Sequence, residues 1–194
     1  MAEITAALVM KLREETGQPM MDCKAALVEA GGDKDAAAKI LREKGKKLEG
    51  VRLGRDTEFG RIGSYSDDKA GAIVELLCES APVANGPDVR QFAEDCAKAL
   101  ALAKTEITDG ETLLKEKSPS KPQTLGEQKD DMFNRLREVF KIGRLVKYTG
   151  TTVGYVHATG DLGSLVAFEG GDVATAKDIA MHIVASSPLA VNKE

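Results

Sequence analysis

The chain has few side chains whose type and spacing could support catalysis or metal binding. Its two histidines, His157 and His182, have no cysteine or histidine at the spacing of a zinc site. The three cysteines, Cys23, Cys78 and Cys96, are irregularly spaced, which favours buried reduced thiols over a disulfide framework. Neither a Walker-type phosphate loop nor a nucleophile elbow is present. These residues favour a binding or regulatory protein over an enzyme, with no metal or cofactor of its own.

Two segments of the chain are diverged copies of one another. Residues 71–74 align with residues 163–166 at an offset of 92 positions, whereas residues 93–97 align with residues 176–180 at an offset of 83. Because the two offsets differ by nine, the first copy holds nine additional residues, which we place in the loop at 78–87. Loops on a rigid scaffold commonly carry function, but a surface insertion also costs little stability. The repeat alone leaves both interpretations open.

Composition and charge narrow the class of protein. The 194 residues are 42% hydrophobic and 30% charged, with a formal net charge of −4. These values are typical of a globular protein and disfavour nonspecific nucleic-acid binding, which relies on basic surface. The N-terminal residues show no signal-peptide pattern, and no segment reaches the ~18 apolar residues of a membrane span. We therefore expect a cytoplasmic protein that binds a protein or small molecule and makes no direct contact with nucleic acid or membrane.

Helical periodicity predicts a three-helix domain over residues 1–45 and a polar linker over residues 46–60. Pro19 suits the first turn of the second helix, Asp33 is a candidate N-cap for the third, and Gly45 lies just past its expected end. A bundle of this size buries little apolar surface. Its exposed apolar residues are therefore candidates for contact with a partner.

Met20 and Met21 are adjacent on the second predicted helix. Neighbouring helical positions are rotated by about 100°, so the two side chains cannot both face the same core. We expect one of them to point outward, where methionine suits an adaptable binding surface. The alternative is that both pack at the rim between helices.

The remaining sequence predicts an α+β fold with antiparallel sheets, built from two related halves at residues 61–123 and 124–194. The first half contains a hairpin, a helix and a polar connector. The second half begins with a helix at Thr124, whose partner Glu127 completes a capping box and whose apolar stripe reaches Phe140. Its strands are expected near residues 145–148, 152–157 and 162–168, before a closing helix capped at Asp172.

Several ordered motifs resemble bacterial translation elongation factor Ts. The clearest lies at residues 16–27, Thr-Gly-Gln-Pro-Met-Met-Asp-Cys-Lys-Ala-Ala-Leu, and is opened by Glu-Ile-Thr-Ala-Ala-Leu-Val at residues 3–9. The resemblance continues at residues 74–79, 141–143, 155–157, 162–166 and 178–183. On these motifs, spread over nearly the whole sequence, the chain is identified as a member of that family.

The resemblance implies a guanine nucleotide exchange factor that binds the GDP-bound G domain of elongation factor Tu. Such a factor accelerates GDP release so that GTP can bind, without covalent chemistry of its own. In the family, a UBA-like N-terminal domain docks on the G domain, and the two core halves grip the same domain. By position, this implies Tu contacts at Val9, Leu12, Met20, Met21, Lys24, Leu162, Gly163 and His182.

The nine additional residues coincide with the family's exchange loop, normally Thr-Asp-Phe-Val, whose Asp-Phe pair disturbs the magnesium site of Tu. Here the four positions read Ser80, Ala81, Pro82 and Val83, so both the carboxylate and the aromatic ring are missing. One hypothesis is that Pro82 acts as a smaller wedge. The rival is that the protein binds Tu as a chaperone or as a weakly exchanging paralogue.

Two further alternatives stay open from the sequence. A stand-alone UBA-like module that recognises some other protein would share the helical domain. Longer family members also continue past the closing helix into a dimerisation module, whereas this chain ends at Glu194, either naturally or by truncation. The oligomeric state is therefore open.

Overall fold

The computed structural model describes residues 4–190, which divide into two compact units. The first unit contains residues up to Asp56 together with residues 129–139, and the second contains residues 57–128 and those from 140 onward. Expectations that concern residues 1–3 and 191–194, namely the start of the family motif and the end of the chain, lie outside the described residues. The sequence-based boundaries at 45, 60 and 123 stay predictions.

Three helices open the described part of the chain, and strands and helices follow in a mixed order. The helices are α1 (Ala6–Thr16), α2 (Met20–Glu29), α3 (Lys34–Arg52), α4 (Ala81–Ala84), α5 (Pro87–Leu102), α6 (Gly110–Leu113), α7 (Leu125–Leu136) and α8 (Val173–Ser186). The strands are β1 (Phe59–Ser66), β2 (Ala70–Cys78), β3 (Lys141–Thr149), β4 (Thr152–Val156) and β5 (Gly163–Ala167).

The first unit is built on the three N-terminal helices that the sequence predicts. Thr5 caps α1, since its hydroxyl accepts the amide of Leu8 at 3.3 Å, and Gly17 ends that helix with φ of 67°. Asp33 caps α3 by accepting two amides, as expected. The core of this bundle consists of Val9, Leu12, Cys23, Ala26, Leu27, Ala37 and Leu41.

The third helix is longer than its sequence indicates. The prediction that it ends before Gly45 is wrong, because α3 continues to Arg52 through the first seven residues of the expected linker. Gly45 is buried inside the helix, and a Cβ there would lie 1.6 Å from Oδ1 of Asn134 on α7. The glycine therefore permits close approach of a second helix and does not act as a cap.

The C-terminal part of α7 joins this unit through three ion pairs with α3. These pairs are Arg42–Asp131 at 3.0 Å, Lys46–Asp130 at 3.0 Å and Lys129–Glu49 at 2.5 Å. The helix ends earlier than its apolar stripe indicates, because Arg137 adopts φ of 60° and its amide bonds to the Phe133 carbonyl at 2.7 Å. Phe140 is buried but lies beyond the helix, so that part of the prediction is wrong.

The second unit confirms the expected α+β fold with antiparallel sheets. One sheet has the order β1-β2-β3 and the other pairs β4 with β5. Alternate residues of β2, from Ala70 to Cys78, are buried, and α5 packs on β1 and β2. On the opposite face, a Cβ at Gly71 would lie within 3 Å of Thr152 and Leu165. The hairpin β4-β5 therefore covers that side of the first sheet.

The repeat corresponds to two hairpin-and-helix units, β1-β2-α5 and β4-β5-α8. When the two copies are aligned on their strands, at the offset of 92, the last residue of β5 corresponds to position 75. Because β2 continues to Cys78, it extends three residues further than β5. When the copies are aligned on their helices, at the offset of 83, the first residue of α8 corresponds to position 90. Because α5 begins at Pro87, it starts three residues earlier than α8. The strand and the helix thus account for six of the nine additional residues, and the remaining three lengthen the connection between them, which contains α4. This corrects the expected nine-residue loop.

The polar connector before α7 is held in place by a buried carboxylate. Asp95 of α5 accepts hydrogen bonds from Gln128 at 3.0 Å and from the hydroxyls of Ser118 and Ser120. The capping box at Thr124 is confirmed, since its hydroxyl accepts the amide of residue 127 at 3.2 Å. Asp172 likewise caps α8, as predicted.

Candidate functional site

One side of α2 presents apolar residues to solvent in the folded first unit. Met21, Lys24, Ala25 and Val28 follow the i, i+3, i+4 and i+7 spacing of a single helical face, and all four are exposed. Met20 borders them. The opposite side, with Cys23, Ala26 and Leu27, is buried in the bundle. We call Met20, Met21, Lys24, Ala25 and Val28 the α2 face.

Both methionines of the α2 face are accessible. Met20 is 43% exposed and Met21 is 73% exposed. The expectation that one of them points outward is therefore incomplete, and the alternative that both pack at the rim between helices is wrong. Two adjacent side chains can both avoid the core because the buried positions of α2 begin only at Cys23.

Val9 and Leu12 do not belong to this exposed surface. Val9 is almost completely buried and Leu12 is completely buried, and both pack in the core of the three-helix bundle. A partner could reach them only if the bundle opened. We therefore remove both residues from the implied Tu contacts, which corrects the expectation drawn from their position in the motif.

The four exchange-loop positions lie in the single helical turn α4 and the residue before it. Ser80 precedes α4, and its carbonyl accepts the amide of Ala84 at 3.0 Å. Pro82 lies in the first turn and is exposed, whereas Ala81 and Val83 are partly buried. Proline suits this place because its fixed φ matches the helix. The segment presents a pyrrolidine ring to solvent where the family pattern has an acidic and an aromatic side chain.

The implied contacts in the second unit lie at the start of β5 and in the C-terminal half of α8. Ser164 of β5 donates a hydrogen bond from its hydroxyl to the Ala180 carbonyl of α8 at 2.8 Å. This bond brings Gly163, the first residue of β5, near the part of α8 that carries the exposed His182. Leu162, immediately before β5, is also exposed. One hydrogen bond between neighbouring residues thus ties the start of β5 to the turn of α8 that precedes His182.

Exposed apolar residues adjoin these positions, and the sequence reasoning did not select them. They are Ile179 and Met181 on α8 and Ala25 and Val28 on α2. Helical spacing could have identified Ala25 and Val28, because they lie four and seven positions after Met21. On α8 the buried residues are Ala176 and Ala180, so small side chains face the sheet and larger ones face solvent.

The thiols and histidines form no reactive cluster in the described part of the chain. Cys23, Cys78 and Cys96 are all buried. Burial raises the pKa of the Cys96 thiol far above its ordinary value, which makes the thiolate unfavourable. Within residues 4–190, no group of three or more histidine, cysteine, aspartate or glutamate side chains could hold a metal ion.

No helix among the described residues is long and apolar enough to cross a membrane.

Comparison with known proteins gives a consistent result. The family model described as "Elongation factor TS" matches residues 79–194. The chain is 41% identical to "Elongation factor Ts" of Methylococcus capsulatus, with 98% of this chain and 66% of that protein covered. It is 40% identical to the protein of the same name from Hydrogenovibrio crunogenus, with 98% and 65% covered. The chain thus spans slightly less than two thirds of these relatives. It belongs to the elongation factor Ts family.

Proposed function

We propose that this protein is a guanine nucleotide exchange factor of translation elongation. In this proposal it binds elongation factor Tu in the GDP-bound state, in the cytoplasm, and promotes GDP release and GTP loading. Family membership supports the proposal. The observation that carries it is the α2 face, an apolar surface of a folded unit at the most specific part of the family motif.

The α2 face has the chemistry of a docking surface. Met20, Met21 and Val28 supply apolar area, whose burial is worth roughly 25 cal/mol per Å² before the costs of association. Lys24 adds an exposed positive charge within the same face. Methionine side chains are flexible and polarisable, so they adapt to the shape of a partner. We therefore assign this face to the G domain of Tu.

The second surface that we assign to Tu consists of the start of β5 and the C-terminal half of α8. Leu162 and His182 are exposed, and Gly163 is partly exposed beside them. The apolar side chains of Ile179 and Met181 extend this region along α8. Two contact regions on one chain would let part of the binding energy distort the Tu nucleotide site instead of only tightening the complex.

We assign nucleotide release to α4 and its neighbours. In a GTPase, Mg²⁺ bridges protein and phosphates, so displacement of the ion removes much of the affinity for nucleotide. A carboxylate and an aromatic ring are absent from positions 80–83, so Pro82 is the exposed rigid group available there. In this proposal its ring acts as a steric wedge, while the other two surfaces supply most of the binding energy.

The second candidate function is binding of Tu without efficient exchange, as a chaperone or paralogue. The observation that favours it is the chemistry of α4, whose side chains carry no charge and no ring larger than that of proline. Both candidates require the α2 face. They differ only in whether the nucleotide leaves faster.

Stopped-flow release of fluorescent GDP from the cognate Tu separates the two candidates. Acceleration by catalytic amounts of this protein supports exchange. Stoichiometric binding without acceleration, measured by titration calorimetry on the same samples, supports the chaperone. Failure to bind Tu at all would overturn both and leave a UBA-like module for another partner.

A further inference from the structure

A cleft of about 690 Å³ in the second unit has no role in the proposed exchange mechanism. It lies between β1, α5, the connector before α7 and the turn after β4. Its charged or ionisable lining residues are Arg61, Arg90, Glu94, Asp95, Lys98 and His157. The cleft is large enough for a small organic ligand.

Arg61 is a buried cation that forms no ion pair among the described residues. It is only 7% exposed, and its Nη1 donates a hydrogen bond to Oδ1 of Asn85 at 3.4 Å, a long distance for such a bond. Among residues 4–190, no carboxylate lies within ion-pair distance of its guanidinium. Burial is the main cause that lowers the pKa of Arg61; the nearby Arg90 adds to it, and Glu94 acts in the opposite direction. A buried guanidinium in such surroundings favours the arrival of a counter-ion.

The backbone holds this guanidinium in place. A Cβ at Gly160 would lie 2.6 Å from Nη1 of Arg61, so the turn after β4 packs directly against the charged group. The same turn is fixed to β1, because Gly160 accepts the amide of Ile62 through its carbonyl at 2.7 Å. Gly160 has φ of 83°, which a larger residue would adopt only with strain. The site is thus preorganised before any ligand binds.

Two further cations line the same cleft from one face of α5. Arg90 and Lys98 are eight positions apart and both are exposed. Lys98 lies 5.7 Å from the centre of the Tyr65 ring. Neither cation has a carboxylate within ion-pair distance in the described part of the chain. Together with Arg61 they place three positive groups around one space.

Two carboxylates also line the cleft, and they differ in availability. Asp95 is buried and already accepts the hydrogen bonds of Gln128 and the connector serines. Glu94 is exposed on α5 between Arg90 and Lys98. Glu94 and Asp95 together offset two of the three positive charges, which leaves one positive charge in excess.

We infer that this cleft binds the phosphate group of a small molecule. A guanidinium fork matches the oxygens of phosphate and binds them through charge-assisted hydrogen bonds. The negative charge of a phosphate group also offsets the positive charge that the two carboxylates leave in excess. The volume of the cleft exceeds that of a free ion, which favours a phosphate carried on a larger group next to Tyr65. This inference does not depend on the proposed exchange function.

The cleft is linked to α4 through one side chain. Asn85 accepts the bond from Arg61 and donates its own amide from Nδ2 to the Ala81 carbonyl at 3.0 Å. A phosphate that draws the guanidinium towards the cleft weakens the first of these bonds. The side-chain amide signals of Asn85 therefore report occupancy of the site.

The test is a two-dimensional NMR titration of the full chain at constant ionic strength. One arm uses inorganic phosphate and the other uses phenyl phosphate, while the arginine Nε–H and Asn85 amide signals are followed. We expect saturable shifts, with affinity about tenfold weaker in Arg61→Gln. Glu94→Gln should bind several-fold more tightly. Lys177→Gln, which removes one exposed positive charge on α8, is the matched control and should bind as the wild type does.

Tighter binding of phenyl phosphate identifies a phosphomonoester as the source of the phosphate, and equal binding identifies the free ion. Shifts that do not saturate, or that are the same in Arg61→Gln as in the control, would overturn the inference. If Arg61→Gln does not fold, Arg90→Gln and Glu94→Gln decide the matter. Opposite changes in their phosphate affinity support the site, and unchanged affinity in both contradicts it.

Discussion

At the scale of single residues, burial separates the implied Tu contacts of the first unit into two groups. Met20 and Met21 are exposed on α2, whereas Leu12 lies in the core of the same bundle. A substitution at the first two should therefore change binding, and a substitution at the third should change folding.

The double substitution Met20→Asp with Met21→Asp should weaken binding to Tu by about a hundredfold, because interface anchors often contribute 2 kcal/mol or more. The free energy of unfolding should stay close to that of the wild type, since both side chains are already solvated. Titration calorimetry measures the first quantity and urea denaturation the second.

The control for this experiment is Val51→Asp, which adds one negative charge, half of the change in the double variant, at an 85% exposed position of α3 in the same unit. It should leave the affinity for Tu unchanged. Equal affinities in the double variant and the control would remove the α2 face from the proposed interface.

Leu12→Ala should destabilise the first unit by about 2–5 kcal/mol, the usual range for a fully buried leucine. Any loss of Tu binding should then track the unfolded fraction, because Leu12 is not at the surface. Binding measured at several temperatures, alongside circular dichroism, tests this. A large loss of affinity in a fully folded Leu12→Ala protein would mean that the partner reaches the core.

At the scale of elements, a β-bulge sets the position of a charged pair. The register between β2 and β3 shifts between Val74 and Leu76. Glu75 lies at this shift and accepts the amide of Arg144 at 3.0 Å, together with two bonds from its guanidinium. These bonds lower the pKa of Glu75, and the guanidinium bond is the largest cause. The carboxylate thus replaces a strand-to-strand bond that the bulge interrupts.

This pair should make stability depend on pH in one direction. A carboxyl group with a folded-state pKa below its unfolded value stabilises the fold above the unfolded pKa, about 4.3 for glutamate. The contribution is lost as pH falls through the folded-state pKa. Urea denaturation between about pH 5 and 3 should therefore show a steeper loss of stability in the wild type than in Glu75→Gln. Parallel curves for the two proteins would show that the pair contributes nothing.

The short helix α4 gives a prediction about nucleotide release. Pro82→Gly removes the exposed ring and loosens the first helical turn. The rate of catalysed GDP release should fall several-fold, while the affinity for Tu, supplied by the other surfaces, should change little. An unchanged release rate in this variant would exclude Pro82 as the wedge.

The sequence predicted most elements of the fold, and the exceptions have a common physical cause. Local signals such as the Thr124 and Asp172 caps were sufficient where neighbours in the chain decide the structure. The end of α3 was predicted wrongly because the glycine at position 45 makes room for Asn134, a residue far away in the sequence that packs against it. Arg137 was missed because a left-handed arginine has no sequence signature.

The candidate site was predicted in part for a similar reason. Spacing alone places Met21, Lys24 and Val28 on one helical face, but it cannot say which face a bundle buries. The sequence around Arg61 did not indicate a binding site, because the burial of Arg61 depends on Gly160 in the turn that follows β4. Contacts between distant segments carry this information, and a single sequence does not display them.

At the scale of the whole molecule, a duplicated hairpin-and-helix unit has diverged in one place. The first copy has a longer strand, the added turn α4 and an earlier helix start. The second copy passes from β5 to α8 in five residues, through Gly170 and Gly171. Nearly the same scaffold therefore presents two different connections, and we propose that only the first acts on the nucleotide of a partner.

The main proposal is that this protein accelerates nucleotide exchange on Tu. It is tested by the release rate of fluorescent GDP from Tu in the presence of excess unlabelled nucleotide, with this protein at about one tenth of the Tu concentration. We expect complete release at a rate that rises with the amount of added protein, and no such acceleration with the Met20→Asp, Met21→Asp variant. Release no faster than from Tu alone, with binding confirmed in the same sample, would contradict the proposal.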